Sequence, residues 1–206
     1  MTTSITATDG AQPTFTLRTP AFSYIIRVDE TGQLITSHFG APLSCPPPEE
    51  NVDLGGWNRD QRRREFPAVG RGDMKLPAVH IQHASGHTVS HFTYASHKIV
   101  EGKPELVGQP HTFGSNDEVS TLVIELEDKK NNVAASLSYS VFSRGAIVRS
   151  AKIRNTGKEA IKLERIASFS VDLATAESDV EMVHHFGNWA REFQHVRRKI
   201  EHGNQG

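Results

Sequence analysis

Two carboxylates stand out first, Glu65 and Asp73, in the arginine-rich, turn-forming stretch Arg62–Met74. A hydrolase working by general acid and base needs such a pair, facing each other across a bond at a few ångströms. Carboxylates in turns more often fix backbone or meet arginine, and we favour that structural role for both. Five histidines follow closely: His80, His83, His87, His91 and His97. Zinc wants three or four ligands converging tetrahedrally. His80 and His83 fall on opposite faces of one strand, so histidines on a solvated sheet face are the favoured reading and no metal site is assigned. A third constellation is Asp53, Trp57 and Arg59, where an indole sits between a carboxylate and a guanidinium.

The elements that would position these groups read as strands. Phe22, Tyr24, Ile26 and Val28 alternate with less apolar neighbours, the period of a half-buried strand. Asp29–Gly32 supplies a turn, with Gly32 suited to a positive φ, and Leu34–Phe39 returns. Gly40–Gln61 contains Pro42, Pro46, Pro47 and Pro48 and is predicted to be a long loop, a kind that is often functional. Strands are predicted again at Ala78–His83, Thr88–Tyr94, Thr121–Leu126, Val133–Phe142, Ile147–Ile153 and Ile161–Val171, joined by short polar turns. The one helix expected is Trp189–Ile200. Trp189 is expected to be buried as an anchor, and Arg149 and Asp172 to be ion-pair partners. The whole reads as all-β, an antiparallel sandwich. Residues 1–13 are expected to be a flexible N-terminus, and 14–206 a single β domain.

Composition narrows the function classes. The 23 Lys and Arg against 24 Asp and Glu leave a net charge of -1, so no field of one sign recruits nucleic acid or an anionic membrane. The single Cys45 allows no intrachain disulfide. No secretory leader, Asn-x-Ser/Thr acceptor or bilayer-length apolar run is present, which predicts a cytoplasmic protein. A leader exon ahead of Met1 would change that expectation to secretion.

A run of short motifs then carries a resemblance. Arg63-Arg64-Glu65-Phe66-Pro67 leads to Gly70, Gly72 and Asp73, then Pro77-Ala78. Gly102-Lys103-Pro104, Gly108, Pro110, Thr112-Phe113 and Ser120-Thr121-Leu122 come next. Tyr139-Ser140-Val141-Phe142, Ala146–Ser150, Ala167–Asp172 and Trp189-Ala190-Arg191-Glu192 complete the order. Together these resemble the N-terminal domain of the glycoside hydrolase family 36 α-galactosidases, their fungal branch above all. The chain departs from the family's usual pattern at Gln109, His111, Phe186 and Asn188.

The resemblance implies an antiparallel β-supersandwich, or part of one, of the galactose mutarotase-like kind. It implies a retaining α-galactosidase whose nucleophile and acid/base are aspartates of a following barrel. Neither role is assigned within these residues, so whether this chain is itself an enzyme stays open, with no hydrolysis expected from it alone. It implies an α-galactoside as the sugar met in the full enzyme, a homo-oligomer, and no cofactor. Loops of this domain can reach a neighbouring subunit's active site, which makes Asp53, Trp57 and Arg59 the candidate substrate-binding residues. Trp57 could stack on galactose, sit at an oligomer contact, or simply anchor its loop. Rival readings are a free-standing carbohydrate-binding or interaction module, and a mutarotase-like enzyme using Glu and His, for which no motif is seen.

Overall fold

The computed structural model describes residues 3–47, 62–70, 76–110, 112–171 and 180–200, and every described element is a strand or an irregular connection. Four strands form the first sheet: β1 (Ser4–Ala7), β2 (Thr14–Arg18), β3 (Ser23–Val28) and β4 (Leu34–Gly40). They run as an antiparallel meander in chain order. Its register sets Leu17 opposite Tyr24 and Phe15 opposite Ile26, so large apolar side chains share one face. Gly32 closes the β3–β4 turn at φ 78°, as its position predicts. Residues 1–13, expected to be flexible, instead include β1. Ser4–Ala7 pairs along β2, and Ile5 packs against the core, which supplies ladder and apolar contact to a stretch too polar to signal a strand.

β5 (Val79–Gln82) pairs with β10 (Lys162–Ile166) as a separate antiparallel ribbon. The second large sheet holds β6 (Thr93–Glu101), β7 (Val119–Asp128), β8 (Val133–Phe142) and β9 (Ile147–Asn155), again an antiparallel meander. β8 matches the stretch read from its alternation. β6 does not: a strand over Thr88–Tyr94 was expected, yet it begins at Thr93. The reason is local. The amide of His91 bonds the Asp128 carboxylate at 2.9 Å and that of Ser90 bonds the Val69 carbonyl, so this backbone meets neighbours other than a sheet ladder.

One apolar cluster joins the faces of the two large sheets. Phe15, Leu17, Tyr24 and Ile26 come from the first, and Leu122, Ile124, Leu137 and Tyr139 from the second, with Val79 and Ile81 of β5 among them. All are buried, the inward halves of period-two strands.

β11 (Glu181–Asn188) and β12 (Arg191–Lys199) make an antiparallel hairpin belonging to a second compact unit, residues 173–206. The helix expected at Trp189–Ile200 is therefore β12. Its arginines and lysine suit either state, and cross-strand pairing decides: Glu181 faces Lys199, His184 faces Val196, and His185 faces His195. Propensity yields to pairing here.

Candidate functional site

The Arg63–Ala78 motif contains the crossing between elements. Thr36 donates its amide to the Arg63 carbonyl at 2.7 Å, and Glu65 donates its own to Leu34 at 2.9 Å, extending the edge of β4. Farther on, the Pro67 carbonyl accepts from Ala78 at 2.8 Å, and Ala68 bridges to Val79 on β5. The stretch thus stitches the first sheet to the β5–β10 ribbon, and it plants Glu65 in the interior with 0% exposure.

Three hydroxyls converge on that carboxylate. Tyr24 donates to Oε2 at 2.5 Å, Thr36 to the same oxygen at 2.7 Å, and Tyr139 to Oε1 at 2.7 Å. The Arg149 guanidinium, on β9, brings Nε to 3.2 Å from Oε1, although that N–H lacks hydrogen-bond alignment. Its other nitrogens donate to backbone carbonyls, Nη1 to Ser168 at 2.5 Å and Nη2 to Glu65 at 3.2 Å. The cation also lies over the rings of Tyr139 and Phe66, at 5.4 and 5.9 Å.

Burial pushes the Glu65 carboxyl upward, while Arg149 and the hydroxyls oppose the shift. The phenols of Tyr24 and Tyr139 are pushed up too, by burial first and by the Glu65 charge second, so both stay protonated donors. A carboxylate with both oxygens occupied and no solvent path can take no proton from a bound sugar. Its chemistry is to hold two sheets and a crossing strand in one register, which agrees with the structural role read from sequence. Asp73 lies outside the described residues, so this stretch forms no described carboxylate pair.

Arg149 is an ion-pair partner, as read, and its partner is Glu65; Asp172 lies outside the described residues. The histidines separate into different settings. His83 is buried and shares a hydrogen bond with Ser90 at 2.9 Å, its ring 4.8 Å from that of His87. Burial and then His87 push its pKa down. His97 instead meets the Tyr94 hydroxyl at 2.7 Å on β6. Among the described residues no three His, Cys, Asp or Glu side chains are grouped to hold a metal ion. His87 also lines two grooves at the sheet ends, of about 430 and 380 Å³, which share Lys130 and Asn131.

Asp53, Trp57 and Arg59 lie outside the described residues, but the two stems flanking them are described. On the N-terminal side Leu43 donates its amide to Ser23 Oγ at 2.9 Å, Arg18 donates to the Ser44 carbonyl at 2.8 Å, and Arg27 donates to that of Pro47. On the C-terminal side Arg62 forks onto Glu30 at 2.7 and 3.0 Å and meets Asp29 at 2.9 Å. These arginines went unread in the sequence, where nothing marks which partner each will find.

Trp189 corrects an expectation. It is 93% exposed, at the tip of the β11–β12 hairpin, where the tight connection puts Ala190 at φ 57°. Phe193 is also exposed, and stacks on His185 at 4.1 Å.

Known proteins of similar sequence and fold agree with one another. Probable α-galactosidase G of Aspergillus terreus is 47% identical over 197 residues, covering 93% of this chain and 27% of that protein. α-Galactosidase 2 of Hypocrea jecorina is 46% identical over 202 residues, with 93% and 26% covered. Among solved structures, the GH36 α-galactosidase AgaB of Geobacillus stearothermophilus superposes with a TM-score of 0.85 at 29% identity, over 97% of this chain and 29% of that one. A variant of AgaA from the same organism, in complex with stachyose, gives 0.81 at 31% identity, over 92% and 28%. The chain therefore spans about 27% of the length of such a relative. Residues 32–206 match the glycosyl hydrolase family 36 N-terminal domain, and the chain belongs to that family.

Proposed function

We propose that this chain acts as the accessory β domain of a retaining α-galactosidase, supporting assembly and enclosure of an active centre whose two carboxylates lie in another domain. The observation that carries the reading is the state of Glu65. The carboxylate of the chain's signature motif is engaged by three hydroxyls and an arginine in the core, so its work is architectural. The match to an N-terminal domain supports the same division of labour. The ligand would be a terminal α-linked galactose, the class represented by stachyose bound to the AgaA variant. Asp53, Trp57 and Arg59 are the residues proposed to meet it, with Trp57 stacking on the sugar's apolar face, at an active centre completed within a homo-oligomer.

A chimera tests this. The chain replaces the matching stretch of the Hypocrea jecorina enzyme, and hydrolysis of a chromogenic α-galactoside is followed. Activity restored by the chain, and a raised KM in its Trp57→Ala form, are expected. A chimera that folds and assembles but shows the same KM with either residue would overturn the sugar-contact role. A second reading, a free-standing sugar-binding module, is favoured by the exposed Trp189 and Phe193. Saturable galactose binding by the isolated chain, lost in Trp189→Ala, would support it.

A further inference from the structure

The chain between β5 and β6, residues 83–92, follows no ladder and is held by separate hydrogen bonds. The His83 amide donates to the His87 carbonyl at 2.9 Å, and the Gly86 amide to that of His83 at 2.8 Å, which closes a turn. Farther on, the Ser90 amide donates to the Val69 carbonyl at 3.1 Å, and Asn131 reaches from the β7–β8 turn to the Val89 carbonyl at 3.1 Å. The ring of His83 is buried and that of His87 is exposed.

A neutral imidazole suits the place of His83. Its Nε2 shares a hydrogen bond with Ser90 Oγ at 2.9 Å, and its Nδ1 is buried without an aligned partner. A second proton makes both nitrogens donors, and a buried charge whose donor finds no acceptor is costly. His87 brings its ring to 4.8 Å, so a proton there sets one cation against another. Asp128 and the Val89 backbone favour the charged form, yet burial first and His87 second outweigh them. Both are already engaged: Asp128 accepts from the His91 amide and from Asn131, and the Val89 carbonyl accepts from Asn131. Lys130 from the β7–β8 turn and Lys158 and Glu159 from the β9–β10 turn line the groove that the two histidines share. Two ammonium groups against one carboxylate give a new cation no net attraction. His91, Glu127 and Lys129 line the neighbouring groove.

We propose that His83 and His87 form a pH-sensitive latch: the turn 83–87 and the chain to Ser90 stay closed while both rings are neutral, and open locally as protons bind. Because the folded pKa of His83 lies below its ordinary 6.5, the open form takes up more protons. Closure is fully present above pH 6.5 and is lost as pH falls through the lower folded value. An irregular segment held by a few separate bonds can open in this way while the sandwich stays intact.

Amide hydrogen exchange on the chain, corrected for the intrinsic pH dependence of exchange, reads the latch at His83, Gly86 and Ser90. Leu122 and Leu137, in the β7–β8 ladder, read the sandwich. Between pH 7.5 and 5.5 protection of the latch amides should fall severalfold, about tenfold at most for one proton taken up below 6.5, with the ladder amides unchanged. His83→Gln should remove this pH dependence. His87→Gln, at an exposed position, should weaken it and raise the midpoint of the His83 ring in an NMR titration. Equal latch protection at both pH values would overturn the proposal. So would a parallel loss at Leu122 and Leu137, which is global unfolding, or an undiminished pH dependence in His83→Gln. A His83 midpoint at or above 6.5, or one that His87→Gln does not move, would overturn it even where His83→Gln fails to fold.

Discussion

The chain contains the same pair of side chains in two opposite settings. Arg149 and Glu65 meet in the sandwich interior with side-chain exposures of 3% and 0%. Arg197 and Glu181 meet across the β11–β12 hairpin at 65% and 39%. The exposed pair is the closer, at 2.5 Å against 3.2 Å, so it is solvent and not distance that makes the buried pair matter more. In water the outer pair gains little, because high dielectric and side-chain entropy cancel most of its attraction. The inner pair has given up hydration that only its partners replace, so each member depends on the other. A buried ion pair therefore fixes register more than it adds stability, and here it fixes the crossing of the Arg63–Ala68 stretch between β4 and β5.

The largest expected effect follows from breaking the inner pair on one side. Glu65→Ala strands the Arg149 cation and leaves the hydroxyls of Tyr24, Thr36 and Tyr139 without their acceptor. It should cost about 3–5 kcal/mol, measured by urea unfolding. Arg149→Met should cost a similar amount. The pair Glu65→Ala with Arg149→Met sharpens the point, because it removes both charges. It should cost clearly less than the sum of the single changes, whereas strict additivity in a double-mutant cycle would show that the two side chains are not coupled.

A smaller effect concerns pH. Burial and His87 hold the His83 pKa below its ordinary value of 6.5. In the window between the folded pKa and 6.5 the unfolded chain binds more protons. Stability attached to His83 is thus fully present above pH 6.5 and is lost as pH falls through the folded value. His83→Gln should flatten that part of a stability-versus-pH curve measured by denaturant midpoints. An equal slope in both proteins would remove His83 from the account.

The smallest effect belongs to the outer pair. Arg197→Ala should change stability by no more than about 0.5 kcal/mol, and less still at high salt. A loss comparable to that of Arg149→Met would end the contrast between the two settings.

What the sequence disclosed follows the same division between local and distant causes. β8 was legible to its ends because Val133, Ala135, Leu137, Tyr139 and Val141 alternate inward without interruption. β12 was misread as a helix because its state is set by β11, not by its own composition. β6 was misplaced because a distant carboxylate, Asp128, takes the His91 amide and the Val69 carbonyl takes that of Ser90. At Glu65, sequence indicated a structural carboxylate, fixing backbone or meeting arginine, but could not name its companions. Tyr24 lies 41 residues before it and Tyr139 lies 74 after. Tyrosines in apolar strands give no outward sign that their hydroxyls share one acceptor. Trp189 was expected to be buried because indoles usually bury large area; its place at the turn of a hairpin, set by the β11–β12 pairing, was not legible from its own composition.

The proposed division of labour, with catalysis in another domain, can be tested on the isolated polypeptide. Purified and folded, it should release nitrophenol from p-nitrophenyl α-galactoside no faster than buffer does. Catalytic turnover that survives purification to homogeneity would place a working carboxylate pair within these strands and contradict the account.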